Sequence, residues 1–293
     1  MAMMRSAAAC LLVLGTACGR LRFDDRSDGD AAELGPFGPP VRIVELSVAG
    51  VRDDDPTLTA DLRELYFNSA RAGGPGAGDI WVATRALADG PWDPPTLVAA
   101  LSSPASETGP EVSADGLAIL FASDRAGTLG ATDIWMSTRS ARTAPWGAPV
   151  HVPELSSTAE DTAPAIHAGG LVIVFESTRG AGDANLWIAT RPAITSAWSA
   201  PQMITSSADP EGSPYLASDG RTLLFNAIRP GGNGMADLYL ATRAAEGDPF
   251  VAETRIDISG ASNDEDPWLS NDGRVLFFAN NQNGDVELYE ARR

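Results

Sequence analysis

PEVSADGLAILFASDRAGTLGATDIWMSTR, residues 110–139, runs from a proline-led segment through an Asp-Gly turn into an apolar run ending at Phe121. A glycine-rich loop and a second run, DIWMSTR, follow. Runs of four to seven apolar, aromatic and β-branched residues bounded by Gly, Asn and Asp read as strands joined by hairpins. Asp115-Gly116 suits the tightest of these turns, because glycine takes positive φ without steric cost.

The stretch has four companions, at 56–85, 164–191, 214–243 and 267–293. Their aligned phenylalanines are Phe67, Phe121, Phe175, Phe225 and Phe278, with successive spacings of 54, 54, 50 and 53. Each unit opens on a proline (Pro56, Pro110, Pro164, Pro214 or Pro267) and ends its second run at DIWVATR, DIWMSTR, NLWIATR, DLYLATR or ELYEARR. A further link and a fourth strand follow, seen in PWGAPVHVPELSS at 145–157. A four-stranded antiparallel unit repeated every ~50 residues is the signature of a β-propeller blade.

The chain ends at Arg293 after three strands of the fifth unit. PPVRIVELSVAGVRDDDP, residues 39–56, aligns with 148–164 and supplies the missing outer strand ahead of the first blade. The expectation is therefore an all-β, five-bladed propeller of four-stranded blades over 41–293, closed by the N-terminal strand pairing with the C-terminal blade.

Before that domain, MAMMRSAAACLLVLGTACGR has one positive charge, a short apolar stretch and small residues, the pattern of a secretory signal over 1–17. Leu14-Gly15-Thr16-Ala17-Cys18 resembles the bacterial lipobox, with Gly15 where Leu is usual, which implies lipidation at Cys18; Gly15-x-Ala17 also suits ordinary signal peptidase. Residues 18–40, rich in Asp, Gly and Pro, read as the anchor cysteine and a flexible linker. The resulting address is the bacterial cell envelope, as an outer-membrane lipoprotein or a periplasmic or secreted form. Cys10 lies inside the signal, so processing leaves one thiol and no intramolecular disulfide.

The repeat P-x-x-S-x-D-G-x-x-x-x-F-x-S-x-R…D-I-W/Y resembles the WD40-like repeat of TolB-type propellers over nearly all of 41–293. Leu62 replaces the turn glycine in blade one, Gly169 the aspartate in blade three, and blade five has Gln282 near the arginine position. The segment before Pro40 is too short for the N-terminal domain of TolB, so the resemblance implies the propeller alone. Such modules serve as scaffolds and occur in enzymes, so the repeat implies a fold more firmly than a function.

The formal charge is −18, from 39 acidic and 21 basic residues, every basic one an Arg. That excess disfavours nucleic acid and anionic lipid surfaces as partners, leaving the lipid as the membrane contact. An acidic residue stands three positions before every repeat proline: Asp53, Glu107, Asp161, Glu211 and Asp264. If the proline strand is innermost, these carboxylates ring a mouth of the channel, where they could take a cation, brace turns or dock a basic partner. No cofactor is required.

Arg71, Arg125, Arg179 and Arg229 precede Asp79, Asp133, Asn185 and Asp237 across the hairpin loops, a spacing that favours charge pairs over the loop. Trp81, Trp135, Trp187, Tyr239 and Tyr289 repeat at one place and read as packing between sheets, as do Trp92, Trp146, Trp198 and Phe250 near the outer link. His151 and His167 lack metal-ligand spacing. The polar residues that most break the repeat are His167, Asp183 and Asn233. The function expected is a monomeric envelope scaffold binding a protein or saccharide; the alternative is a carbohydrate-active enzyme, glycosidase or lyase, using channel-mouth carboxylates.

Overall fold

A computed structural model describes residues 35–180, 183–204, 209–232, 235–258 and 261–293. The signal segment, Cys18 and most of the linker lie outside the described residues. Five four-stranded antiparallel sheets form the blades; in blades one to four the strands run in chain order from first to outer, and in blade five the outer strand comes from the N-terminal end. Their first strands are Asp53–Leu58, Glu107–Val112, Asp161–His167, Glu211–Leu216 and Asp264–Leu269. These five pack in succession around the axis, blade five against blade one. The chain is thus a five-bladed β-propeller, as the repeat predicts.

Within each blade the two repeated aromatics stand directly opposite on neighbouring strands: Phe67 with Trp81, Phe121 with Trp135, Phe175 with Trp187, Phe225 with Tyr239, Phe278 with Tyr289. All five phenylalanines are fully buried. The apolar core consists of slices between blades. One such slice sets Tyr66 and Ile80 of blade one against Ile119 and Phe121 of blade two. Cross-strand aromatic pairs stabilise the sheet, and burial against the next blade removes the opposite faces from water.

Each first strand slips register at one point, and the residue before the repeat proline takes positive φ there: Asp55 (53°), Gly109 (55°), Ala163 (44°), Ser213 (46°) and Asp266 (57°). Proline has no N–H for a ladder, so it is tolerated on an inner edge strand at a bulge. Left-handed backbone costs a non-glycine residue about 1–2 kcal/mol. Four of the five blades carry that strain.

Closure follows the expected pairing and extends it. Val41–Arg42 is the outer strand of blade five, with Val41 opposite Glu290 and Arg42 opposite Tyr289. In blades one to four a second repeated arginine donates Nε–H to a turn carbonyl and stacks on the link aromatic: Arg85 on Trp92, Arg139 on Trp146, Arg191 on Trp198 and Arg243 on Phe250. In blade five Arg293 bonds the Gly273 carbonyl and stacks on Phe37, 4.3 Å from its ring centroid. The Gly38 amide bonds Arg292 as Gly147 bonds Thr138. Phe37 and Gly38, assigned to the linker by composition, therefore belong to the blade, because the outer link needs an aromatic under its arginine.

Phe121→Ala is expected to cost about 3–5 kcal/mol in denaturant unfolding, since the ring is fully buried. Deleting residues 41–48 is expected to lower the thermal transition and promote aggregation by exposing the Glu287–Arg292 strand edge; an unchanged transition would refute closure by this segment.

Candidate functional site

The five carboxylates that the repeat suggests as a channel-mouth ring are buried inside their blades, between 0 and 2% exposed, and none lines the axial channel. Each opens a first strand, and Asp53, Glu107 and Asp161 also accept an amide of the turn before it. Glu107 accepts from the Ser103 amide (2.8 Å) and hydroxyl, from the Ser123 hydroxyl, and from Arg125 at 2.8 Å. Asp161 repeats the set with Ser157, Ser177 and Arg179. Asp53 binds Arg71 at 2.7 Å, Glu211 binds Arg229, and Asp264, whose blade lacks the arginine, accepts from Asn280.

The arginines therefore do not pair across the hairpin loops with Asp79, Asp133, Asn185 and Asp237, as spacing alone favours. They turn back to the first strand 18 residues earlier. Arg71 and Arg125 also donate to the Leu46 and Leu101 carbonyls at 2.6 Å, tying down the incoming link. Each guanidinium stacks between the paired aromatics: Arg125 is 4.9 Å from Phe121 and 5.2 Å from Trp135. In that position the cation gains from the aromatic faces and from the buried carboxylate beside it together. The loop acids bind their own loop amides instead, Gly76 to Asp79 at 3.2 Å and Gly130 to Asp133 at 3.3 Å. Asp133 also meets His151 Nε2 at 2.8 Å, with the imidazole against Trp135.

The channel itself is lined by the bulge residues and prolines of all five blades. Here the repeat loses its symmetry. The residues preceding the prolines read DDD, ETG, DTA, EGS and DED from blade one to five, so carboxyls crowd where blade one meets blade five. Asp55 Oδ2 accepts the Gly109 amide at 2.9 Å, and the Asp55 amide points to Asp266 Oδ2 at 3.3 Å. Ser213 Oγ donates to Asp266 Oδ1 at 2.6 Å, and the Ser213 amide to Glu176 Oε2 at 3.2 Å. Arg52 bridges Asp54 and Glu265, reaching the latter at 2.7 Å, while Asp54 Oδ1 is buried without a hydrogen-bond partner. Lower down, Glu111 accepts the Thr57 hydroxyl at 2.6 Å.

Burial dominates the titration of these groups, since desolvation disfavours a charged carboxylate. It pushes Asp54 up to about 7, helped by the nearby Asp266, and raises Asp55 well above the usual range, again with Asp266 contributing. Asp266 is raised by burial and by Glu265. Glu176 rises to about 7 and Glu111 to about 8, both mainly through burial. The axial space offers about 40 Å³ to water centres, and one water needs about 10–15 Å³ on that measure, so it holds a few waters. No cluster of three or more His, Cys, Asp or Glu side chains placed to hold a metal ion occurs among the described residues.

Of the repeat-breaking polar residues, His167 ends the first strand of blade three, where burial lowers its pKa, and Asp183 accepts Asn185 through its backbone carbonyl. Neither lines the channel, and Asn233 lies outside the described residues. The axial carboxyls were the available signal: comparing the one or two positions before each repeat proline singles out Asp54, Asp55, Glu265 and Asp266. Glu176 shows the same way, standing where blades one, two, four and five have Asn68, Ala122, Asn226 and Ala279.

The fold and the axial site define a five-bladed propeller with an acidic channel, and solved structures agree on the architecture. No protein-family model matches the chain, and no curated protein matches its sequence. An endo-arabinase from Bacteroides thetaiotaomicron is 13% identical with a TM-score of 0.59, covering 85% of this chain and 96% of its own. An α-L-arabinofuranosidase from Podospora anserina is 14% identical with a TM-score of 0.56, covering 88% and 96%. TolB from Acinetobacter baumannii is 15% identical with a TM-score of 0.50, covering 82% of this chain and 54% of its own, so the chain spans about half of TolB. At these identities the likeness is one of fold.

Glu107→Gln removes the charge opposite a largely buried Arg125. The expected loss is about 3–5 kcal/mol of stability by denaturant titration; a loss under about 1 kcal/mol would show that the pair is not a structural brace.

Proposed function

We propose that this protein is an exported, lipid-anchored propeller of the bacterial cell envelope that binds a protein partner through its acidic axial mouth. The carrying observation is the size and state of the channel. About 40 Å³ of axial space falls well below the ~300–1,000 Å³ of small-molecule pockets, and Asp55 and Asp266, which line it, are taken up by backbone amides and the Ser213 hydroxyl, with Arg52 holding Asp54 and Glu265 beside them. The charge of −18 favours a basic partner. The lipobox-like segment ending at Cys18 supports the anchor.

A second reading, a glycosidase, draws support from the endo-arabinase and arabinofuranosidase folds and from Glu176. A carboxyl pushed up to about 7 is the protonation state a general acid needs near neutral pH.

Two measurements decide between them. Full-length Cys18→Ser protein is expected to leave the membrane fraction and to recover a basic partner from envelope extracts, with recovery lost in a variant also carrying Asp54→Asn and Glu265→Gln. Equal recovery by both forms would remove the axial mouth from binding. Hydrolysis of an aryl α-L-arabinofuranoside that disappears in Glu176→Gln would establish the enzyme instead.

A further inference from the structure

In every blade the outer strand leads by a continuous link into the first strand of the next blade. In blades one to four that outer strand also follows covalently from the other three. Blade five alone borrows its outer strand from the opposite end of the chain. Its ring contact therefore rests on non-covalent pairing: the two-residue strand Val41–Arg42, the amides of Gly38, Ile43 and Asp53 bonded to Arg292, Leu288 and Val286, the Arg42–Glu287 ion pair, and Phe37 under Arg293. If the ring parts anywhere without breaking the chain, it parts here.

The axial carboxyls face one another across that same contact. Blade one presents Asp54 and Asp55, blade five presents Glu265 and Asp266, and Arg52 bridges Asp54 and Glu265 across the two sides. Asp54 feels Arg52, Asp266 and Glu265; Asp55 feels Asp266, Asp54 and Arg52 and takes the Gly109 amide. Asp266 feels Glu265 and Arg52 and takes the Ser213 hydroxyl; Glu176, reaching in from blade three, feels Asp266 and Glu160. Four carboxyls around one guanidinium cannot all carry charge without repelling across the contact.

We propose that the blade five–blade one contact is a proton-operated latch: it is shut while Asp54, Asp55 and Asp266 hold protons between them, and it loosens as those groups ionise. The sign follows from linkage. Asp54 is raised in the folded protein from an ordinary value near 4 to about 7, so the folded state holds protons that the unfolded state releases. Stability is then complete at low pH and is lost as pH rises through about 7. His167, lowered by burial, acts in the opposite sense and far from this contact, so a variant is needed to assign the effect.

The test is thermal unfolding and amide hydrogen exchange of the full chain at pH 5, 6, 7 and 8, with exchange corrected for its intrinsic pH dependence. The transition is expected to fall by about 5 °C or more between pH 5 and pH 8, and protection at Gly38 and Ile43 is expected to drop while that at Phe121 holds. Asp55→Asn with Asp266→Asn is expected to flatten both trends; Asp54→Asn alone should weaken them if the double variant does not fold. Glu111→Gln, in the same channel but away from this contact, is expected to retain the loss of protection at Gly38 and Ile43. Wild-type protection at Gly38 and Ile43 that stays constant from pH 5 to pH 8 overturns the latch, as does a folded double variant that keeps the full slope.

Discussion

A blade of about fifty residues has two apolar faces and cannot cover either one alone. Every other feature of the molecule answers that constraint. Paired aromatics such as Phe121 and Trp135 give each sheet its thickness, and the neighbouring blade supplies the cover, so no blade is stable until the circle is complete. The last blade therefore has to recruit a strand from the other end of the chain. Phe37 takes the place under Arg293 that Trp92, Trp146, Trp198 and Phe250 take elsewhere.

Charge is buried only where the repeat provides for it. In blades one to four a carboxylate at the start of the first strand meets an arginine lodged over the aromatic pair. Serine hydroxyls and turn amides complete the carboxylate's shell in blades two and three. Blade five has Gln282 at the end of that stretch in place of arginine, and Asn280 donates to Asp264 there. The axial carboxyls have no such provision: Arg52 serves two of them, and burial keeps Asp54, Asp55 and Asp266 inclined to hold protons. The place where the repeat is least regular in charge is also the place where the ring is closed without a covalent link.

The fold was legible because a propeller writes the same strand lengths and turns five times, and repetition makes register visible without coordinates. The arginine partners were not, because Arg125 stands eight residues from Asp133 along the chain but beside Glu107 across a hairpin. Both carboxylates are buried, so the choice depends on which of them the guanidinium meets while it lies over the aromatic pair. The channel lining was half legible: DDDP and DED before the prolines were in plain view, but the bulge that turns Asp55 and Asp266 toward the axis exists only in the folded strand.

The amino-acid sequence by itself determined the number of blades, the strand order within each and the N-terminal segment that closes the ring. Hydrophobic period, turn glycines and repeat length are local quantities that one chain displays in full. Only the tertiary structure decided that Asp53, Glu107, Asp161, Glu211 and Asp264 are internal braces, that Asp55 and Asp266 line the channel, and that Arg52 joins Asp54 to Glu265. Adjacent residues on a strand point to opposite sides, and a one-residue bulge changes which of them faces the channel, so a shift of one position separates a buried brace from a shared acidic site.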